Sequence, residues 1–260
     1  MPPYRFLSFL VCFFLIVGHA EAKEIRLGVT PGSHEQVAEE VAKLLELKGH
    51  TLKIITFSDY ILPNRALADG DLDANSFQHT PYLEQQVRAE GYDLTVAGTN
   101  FIEPMGLYSR SLKSLGQLVS GNTVAIPNDP SNGGRALLLL AIRGIIQLDA
   151  KAGLTAGVPD ITHNPKGLHF IELDAAQLPR SLDDVAVAAI NTNYALEAGF
   201  NPVTDAITLE DSRSPYANIV VVKTEDKDTA WVADLIEAYQ NSHIRSFIGT
   251  EFKGALTPAF

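Results

Sequence analysis

Three short segments carry side chains whose types and spacing suit recognition of a small polar molecule. Residues 73–83, DANSFQHTPYL, deliver Phe77, His79 and Tyr82 within six residues, two aromatic faces and an imidazole. The same residues equally suit core packing of the two rings beside a hydrogen-bonded His79. Residues 126–135, IPNDPSNGGR, read as a strand, a Pro/Asn/Gly loop and the start of an apolar helix. Helix N-termini present free N–H groups and partial positive charge, so they suit carboxylates or phosphates. Arg135 sits in the first turn of that helix, where a cation opposes the dipole, and a role as bidentate carboxylate clamp accounts for it. A solvent-facing Arg beside a plain glycine turn is the alternative. Asn191, in INTNYA at 190–195, and Asn218, in SPYAN at 214–218, set amides at the ends of apolar strands. An amide offers donors and an acceptor, which the two ends of a zwitterion need; both asparagines also suit ordinary turns.

Other chemistries find less support. The 126–135 loop lacks the GK[ST] ending of a phosphate-binding P-loop and is not GxGxxG. There is no Ser-His-Asp elbow, no HExxH and no clustered Asp/Glu/His ligand set. His34, His50, His163, His169 and His243 are scattered. An enzyme using His79 as acid/base is the rival class; no cofactor and no metal are expected.

Elements that could hold these segments follow from periodicity and punctuation. Residues 24–29 read as a buried strand ending at Thr30-Pro31-Gly32. Ser33 then serves as N-cap, with Gln36 at capping-box spacing, of a helix carrying Val37, Val41, Leu44 and Leu45. Further strands are expected at 51–57, 94–97, 106–108, 123–126, 168–173, 185–190 and 219–222. Helices are expected at 63–67, 81–90, 132–147 and, as one long element, 229–247. Apolar strands alternating with helices imply parallel sheets covered on both faces, with ligand-bearing loops beyond the strands' carboxyl ends.

Composition narrows the class. The 260 residues suit two small lobes or one large domain, and 46% hydrophobic with 20% charged residues is an ordinary globular mixture. A formal charge of −11 argues against nucleic acid and anionic membranes as partners. One cysteine excludes a disulfide framework and a Cys-based zinc site. Residues 6–17 are an apolar run too short to span a bilayer, preceded by Arg5 and followed by Ala20-Glu21-Ala22. A signal peptide cleaved after Ala22 and a periplasmic or secreted chain are therefore expected. Cys12 lies within the run with no small residue before it, so no lipid anchor is expected.

Taken together, DYILPNRAL at 59–67, DANSFQHTPYL, IPNDPSNGGRALLLL, QLPRSLDDVAVAAINTNYA and SPYANIVV resemble the NlpA lipoprotein family, in particular its methionine-binding type, the solute receptors of ABC importers. The resemblance runs from VTPGSHEQV at 29–37 to the end of the chain. It implies an α/β periplasmic-binding-protein fold of two lobes joined by two crossing segments, with the ligand cleft between them. The expected limits are 1–22 for the signal, 23–107 and 222–260 for lobe I, and 108–221 for lobe II. The resemblance also implies that Tyr60, Phe77, His79 and Tyr82 surround a thioether. Aromatic rings pack well against sulfur. It further implies that Arg135, with Asn132 nearby, pairs the ligand carboxylate, and that Asn191 and Asn218 fix the ammonium and carboxylate. The implied partners are L-methionine, with D-methionine or another amino acid or short peptide as alternatives, and the membrane permease of an ABC importer; a monomer is expected. Many members of the family carry a cysteine directly after the signal, and this chain has none there.

Overall fold

The computed structural model describes residues 22–211 and 215–260. The leader, its cleavage site and Cys12 therefore lie outside the described residues, apart from Ala22. The chain opens with β1 (Glu24–Val29), α1 (Ser33–Glu46), β2 (Thr51–Thr56), α2 (Leu62–Asp69), β3 (Ala74–His79), α3 (Thr80–Glu90) and β4 (Leu94–Ile102). It crosses to a second sheet through β5 (Gly106–Tyr108), β6 (Thr123–Pro127), α4 (Pro130–Ile142) and the ribbon of β7 (Gln147–Leu148) and β8 (Ile161–His163). Then follow β9 (His169–Leu173), α5 (Leu178–Ser181), β10 (Val187–Ile190), α6 (Thr192–Glu197), α7 (Pro202–Asp205) and β11 (Thr208–Leu209). The return is made by β12 (Ala217–Lys223), α8 (Ala230–Tyr239), α9 (Ser242–Glu251) and β13 (Thr257–Pro258).

The larger sheet has the order β13-β4-β12-β3-β1-β2 and the second β11-β5-β10-β6-β9. Both are mixed rather than parallel. β1 runs parallel to β2 and β3, whereas β12 is antiparallel to β3 and β4. In the second sheet β6 is parallel to β9 and β10, and β5 is antiparallel to β10. The apolar runs report burial on both faces, which a returning strand such as β12 shares with its parallel neighbours. Each sheet carries core on both faces. α1, α8 and α9 pack Val37, Val41, Leu45, Leu235 and Ile244 on one side of the larger sheet, and Leu67 and Leu83 close the other. α4 covers one face of the second sheet through Leu137 and Leu140, with Leu178 and Tyr194 on the other.

Pairing moves the expected limits between lobes. β5 belongs to the second sheet and all of β12 to the first, so the first crossing falls at 103–105, not 107/108, and the second falls before β12, not at 221/222. Other expectations shift for local reasons. Gly32, not Ser33, occupies the cap of α1, because the Ser33 hydroxyl is used elsewhere. The expected 229–247 helix is two: Gln240 leaves helical geometry and Asn241 starts α9 by accepting from Ile244 N. The 132–147 helix begins at Pro130, capped by Asp129, and ends at Ile142 before the left-handed Gly144.

The earlier start puts Gly133 and Gly134 inside α4, where they serve close packing. A Cβ on Gly133 would lie 2.7 Å from Pro127 O, and one on Gly134 would press on Leu154 O and stand 3.0 Å from Ala156 N. Backbone cannot swing aside as a side chain can, so Gly134→Ala should lower unfolding free energy by about 1–3 kcal/mol. This despite the better helix propensity of Ala. Urea denaturation checks it; an unchanged or raised midpoint would mean that the turn at 153–156 yields freely.

Candidate functional site

The segments leaving β2, β3, β4, β6 and β10, together with β3 and the start of β12, line one cavity. Its walls are Tyr60, Phe77, Gln78, His79, Tyr82, Glu103, Asn132, Arg135, Asn191, Thr192 and Asn218, around about 330 Å³ of space partly open to solvent. All eight expected residues converge here. Glu103, Gln78 and Thr192 are additions.

Residues 74–79, where no strand was expected, form β3, the strand between β1 and β12, with all six residues buried. Its polar letters hid it, because no apolar alternation survives in ANSFQH. Asn75 and Gln78 are satisfied within an amide cluster: Asn75 Nδ2 donates to Asn64 Oδ1 at 2.9 Å and Asn64 Nδ2 to Gln78 Oε1 at 2.9 Å. β3 thereby holds Phe77 and His79 on a rigid element. Tyr60, Phe77 and Tyr82 form a triangle of rings with centroids 5.9–6.1 Å apart. The Tyr82 hydroxyl donates to Tyr60 O at 2.8 Å. Tyr60 in turn donates to Asn193 Oδ1 across the cleft at 2.6 Å. Burial raises the Tyr60 and Tyr82 phenols well above their ordinary value, so both remain neutral donors.

Arg135 is only 3% exposed and lies in the second turn of α4, not the first. Its Nε and Nη2 donate to the Glu210 carboxylate, Nε to Oε1 at 3.1 Å. Nη2 also donates to Glu103 O at 2.8 Å, and the guanidinium stacks on Tyr216 at 4.4 Å. The arginine is therefore neither solvent-facing nor waiting alone for a ligand anion. Glu210, which the sequence reading passed over, already holds one edge of its fork.

Glu103 was missed as well, although a lone acid between two apolar strands is a signal. Its carboxylate takes a bond from Ser33 Oγ, stands 3.1 Å from His34 Nε2 and accepts from Asn218 Nδ2 at 3.0 Å. Burial alone would raise this carboxyl; the facing His34 and the bonds from His34, Ser33 and Asn218 outweigh it and hold it below its ordinary value. His34, read as scattered, thus sits in the support of the site.

His79 receives Tyr82 N at Nδ1, 3.2 Å, and faces Asn132 Oδ1 through Nε2 at 3.2 Å. Burial, then the charge of Arg135, depresses it to about 3 against an ordinary 6.5. Asn191 Nδ2 donates to the same Asn132 oxygen at 2.8 Å. The cavity can thus receive an anion at the guanidinium, a cation near Glu103 and a compact apolar group among three rings.

The NlpA lipoprotein model matches residues 25–260. The chain belongs to the NlpA lipoprotein family. It is 45% identical over 237 residues to the D-methionine-binding lipoprotein MetQ of Escherichia coli K12, covering 90% of this chain and 88% of that one. The solved structure of a nutrient binding protein from Burkholderia cenocepacia bound to methionine is 50% identical. It superposes with a TM-score of 0.89 over 91% of this chain and all of that one (100%). An ABC transporter periplasmic substrate-binding protein of Coxiella burnetii is 46% identical with a TM-score of 0.87, covering 90% of this chain and 100% of its own. The family fold is the two-lobed one expected. Relatives named lipoproteins give no support to the expectation of an unanchored chain, which rests on the setting of Cys12 alone.

The depressed His79 has a consequence for stability. The unfolded chain takes up the proton as pH falls below 6.5, while the folded imidazole stays bare down to about 3. Its contribution is complete above pH 6.5 and is lost progressively as pH falls toward 3, at up to about 1.4 kcal/mol per pH unit. Denaturation series between pH 7 and 4 should show a shallower decline for His79→Gln than for the parent. Equal slopes would mean that His79 titrates normally in the fold.

Proposed function

We propose that this chain is an extracytoplasmic solute receptor that binds methionine between its lobes and delivers it to an ABC importer. The observation that carries this reading is the match of one cavity to three parts of one molecule. Arg135 is suited to the carboxylate, Glu103 with the Asn191 and Asn218 amides to the ammonium, and the Tyr60–Phe77–Tyr82 triangle to the thioether. Aromatic edges attract sulfur by about 0.3–1.5 kcal/mol each. The name of the E. coli relative and the methionine in the Burkholderia structure support the same cargo. In function both enantiomers are candidates, L-methionine first.

The groups come from both sheets, so ligand bridges the lobes and favours their closed arrangement. Binding in place of catalysis is supported by His79: a neutral imidazole with both nitrogens engaged neither gives nor takes a proton near neutral pH. A periplasmic monomer working with a membrane permease completes the reading.

The test is calorimetry on the parent and Arg135→Ala, each with methionine and with methioninamide, which lacks the carboxylate. A charge-assisted pair in a desolvated site is worth about 2–5 kcal/mol, so methionine should bind roughly 30-fold to several thousand-fold more weakly to the variant. Arg135→Ala also takes the counter-charge from Glu210, but that cost is common to both ligands and cancels in the cycle. The methioninamide affinity, already poor, should fall little further. An equal penalty for the two ligands would remove Arg135 from carboxylate recognition, and a parent protein that binds neither enantiomer of methionine would overturn the function.

A further inference from the structure

Asn132 lines the cavity, 2% exposed, and its side chain is fully committed to other protein groups. Its Nδ2 faces the Asp129 carboxylate, 3.0 Å from Oδ2 and 3.2 Å from Oδ1. Its Oδ1 receives Asn191 Nδ2 at 2.8 Å and faces His79 Nε2 at 3.2 Å. Two bonds are what the lone pairs of an amide oxygen accept. Asn132 therefore has no oxygen to offer a ligand, although it lines the cavity.

The orientation of each member follows from its neighbour. A carboxylate only accepts, so Asn132 must turn its NH₂ toward Asp129 and its oxygen toward His79 and Asn191. Asn191 must then donate through Nδ2, because its own oxygen there would oppose Asn132 Oδ1. His79 has its Nδ1 taken by the Tyr82 amide, so its single proton sits on Nε2. At the end of the chain one atom is left over: Asn191 Oδ1 is buried and accepts no hydrogen bond. A buried, unmet acceptor is costly unless something supplies a donor.

We infer that Asp129 is a positioning residue for ammonium recognition: through Asn132 it holds the Asn191 amide with its oxygen as an acceptor for the ligand and gives the Nε2–H of His79, set by the Tyr82 amide, its acceptor. Asp129 touches no ligand itself and stands at the N-cap of α4, where Oδ1 also accepts Asn132 N at 2.8 Å. The inference rests on the proposal that the cargo carries an ammonium group. The polarity of the relay itself does not depend on any ligand.

Asp129→Asn tests it with almost no change of shape, and Asn keeps the capping role. Its oxygen is required for the cap, so its NH₂ stands where a carboxylate oxygen was and faces the Asn132 NH₂. Relief comes by turning Asn132, then Asn191, which brings an N–H into the cavity in place of the oxygen. Methionine affinity should fall about 10-fold or more, while 4-(methylthio)butanoate, the same molecule without the amino group, should change less than about 2-fold. A variant that is merely loosened loses both ligands alike, and that result, or an unchanged methionine affinity, overturns the relay. A second readout needs no ligand. Nitrogen-15 spectra of the free protein should show His79 with its proton on Nε2 in the parent and a shifted Nε2 resonance in Asp129→Asn, where that proton loses the Asn132 oxygen. A parent spectrum with the proton on Nδ1 overturns the relay even if methionine binds. The expected spectra in a parent that fails to bind methionine would overturn the cargo while leaving the relay in place.

Discussion

A guanidinium in a protein interior must be paired, and the partners of Arg135 organise the rest of this molecule. They come from both segments that join the sheets: the Glu103 carbonyl from the first crossing and the Glu210 carboxylate from the second. Met105 N, on the first crossing, also donates to Glu210 Oε2 at 3.2 Å. The binding cation and the two connections are one hydrogen-bonded unit. A ligand anion reaching Arg135 thus meets a side chain that is already ordered, which removes part of the entropic cost of association. It also meets that side chain beside both segments that join the sheets.

The cavity carries charge without being a charged hole. Glu103 and Glu210 are each tied into fixed donors, and the phenols around them are kept neutral by burial. Which atoms face a ligand is decided one step further back, by groups such as Asp129 and His34 that line no part of the cavity. In a low-dielectric site a polar contact of the wrong sign costs more than a missing one, so this outer layer sets selectivity as much as the wall does.

The two halves of the molecule also meet directly. Tyr60 reaches Asn193, the Tyr194 hydroxyl donates to Ser58 O at 3.2 Å, and His79 faces Asn132. Gly32, at φ +84°, leaves room for Asn193 O, which would stand 3.0 Å from a Cβ there. These bonds are made by the same residues or neighbours that wall the cavity.

The order of most strands and helices was legible in the chain, because apolar spacing and Gly/Pro punctuation act locally: α1, α2, α3 and β1 fall within a few residues of their expected spans. The membership of Tyr60, Phe77, His79, Tyr82, Asn132, Arg135, Asn191 and Asn218 in one group was also legible, through long motifs read as a resemblance. Strand direction was not, since β12 is buried exactly as a parallel strand would be. β3 escaped because its polar side chains satisfy one another only when Asn64 and Asn75 are brought together in three dimensions. The partners of charge escaped for the same reason. Glu210 lies 75 residues from Arg135, and Glu103 lies 69 from His34 and 115 from Asn218. Sequence determined which side chains could recognise a zwitterion; only the tertiary structure decided which of their atoms remain free to do so, because hydrogen-bond polarity depends on neighbours that the chain brings in from afar.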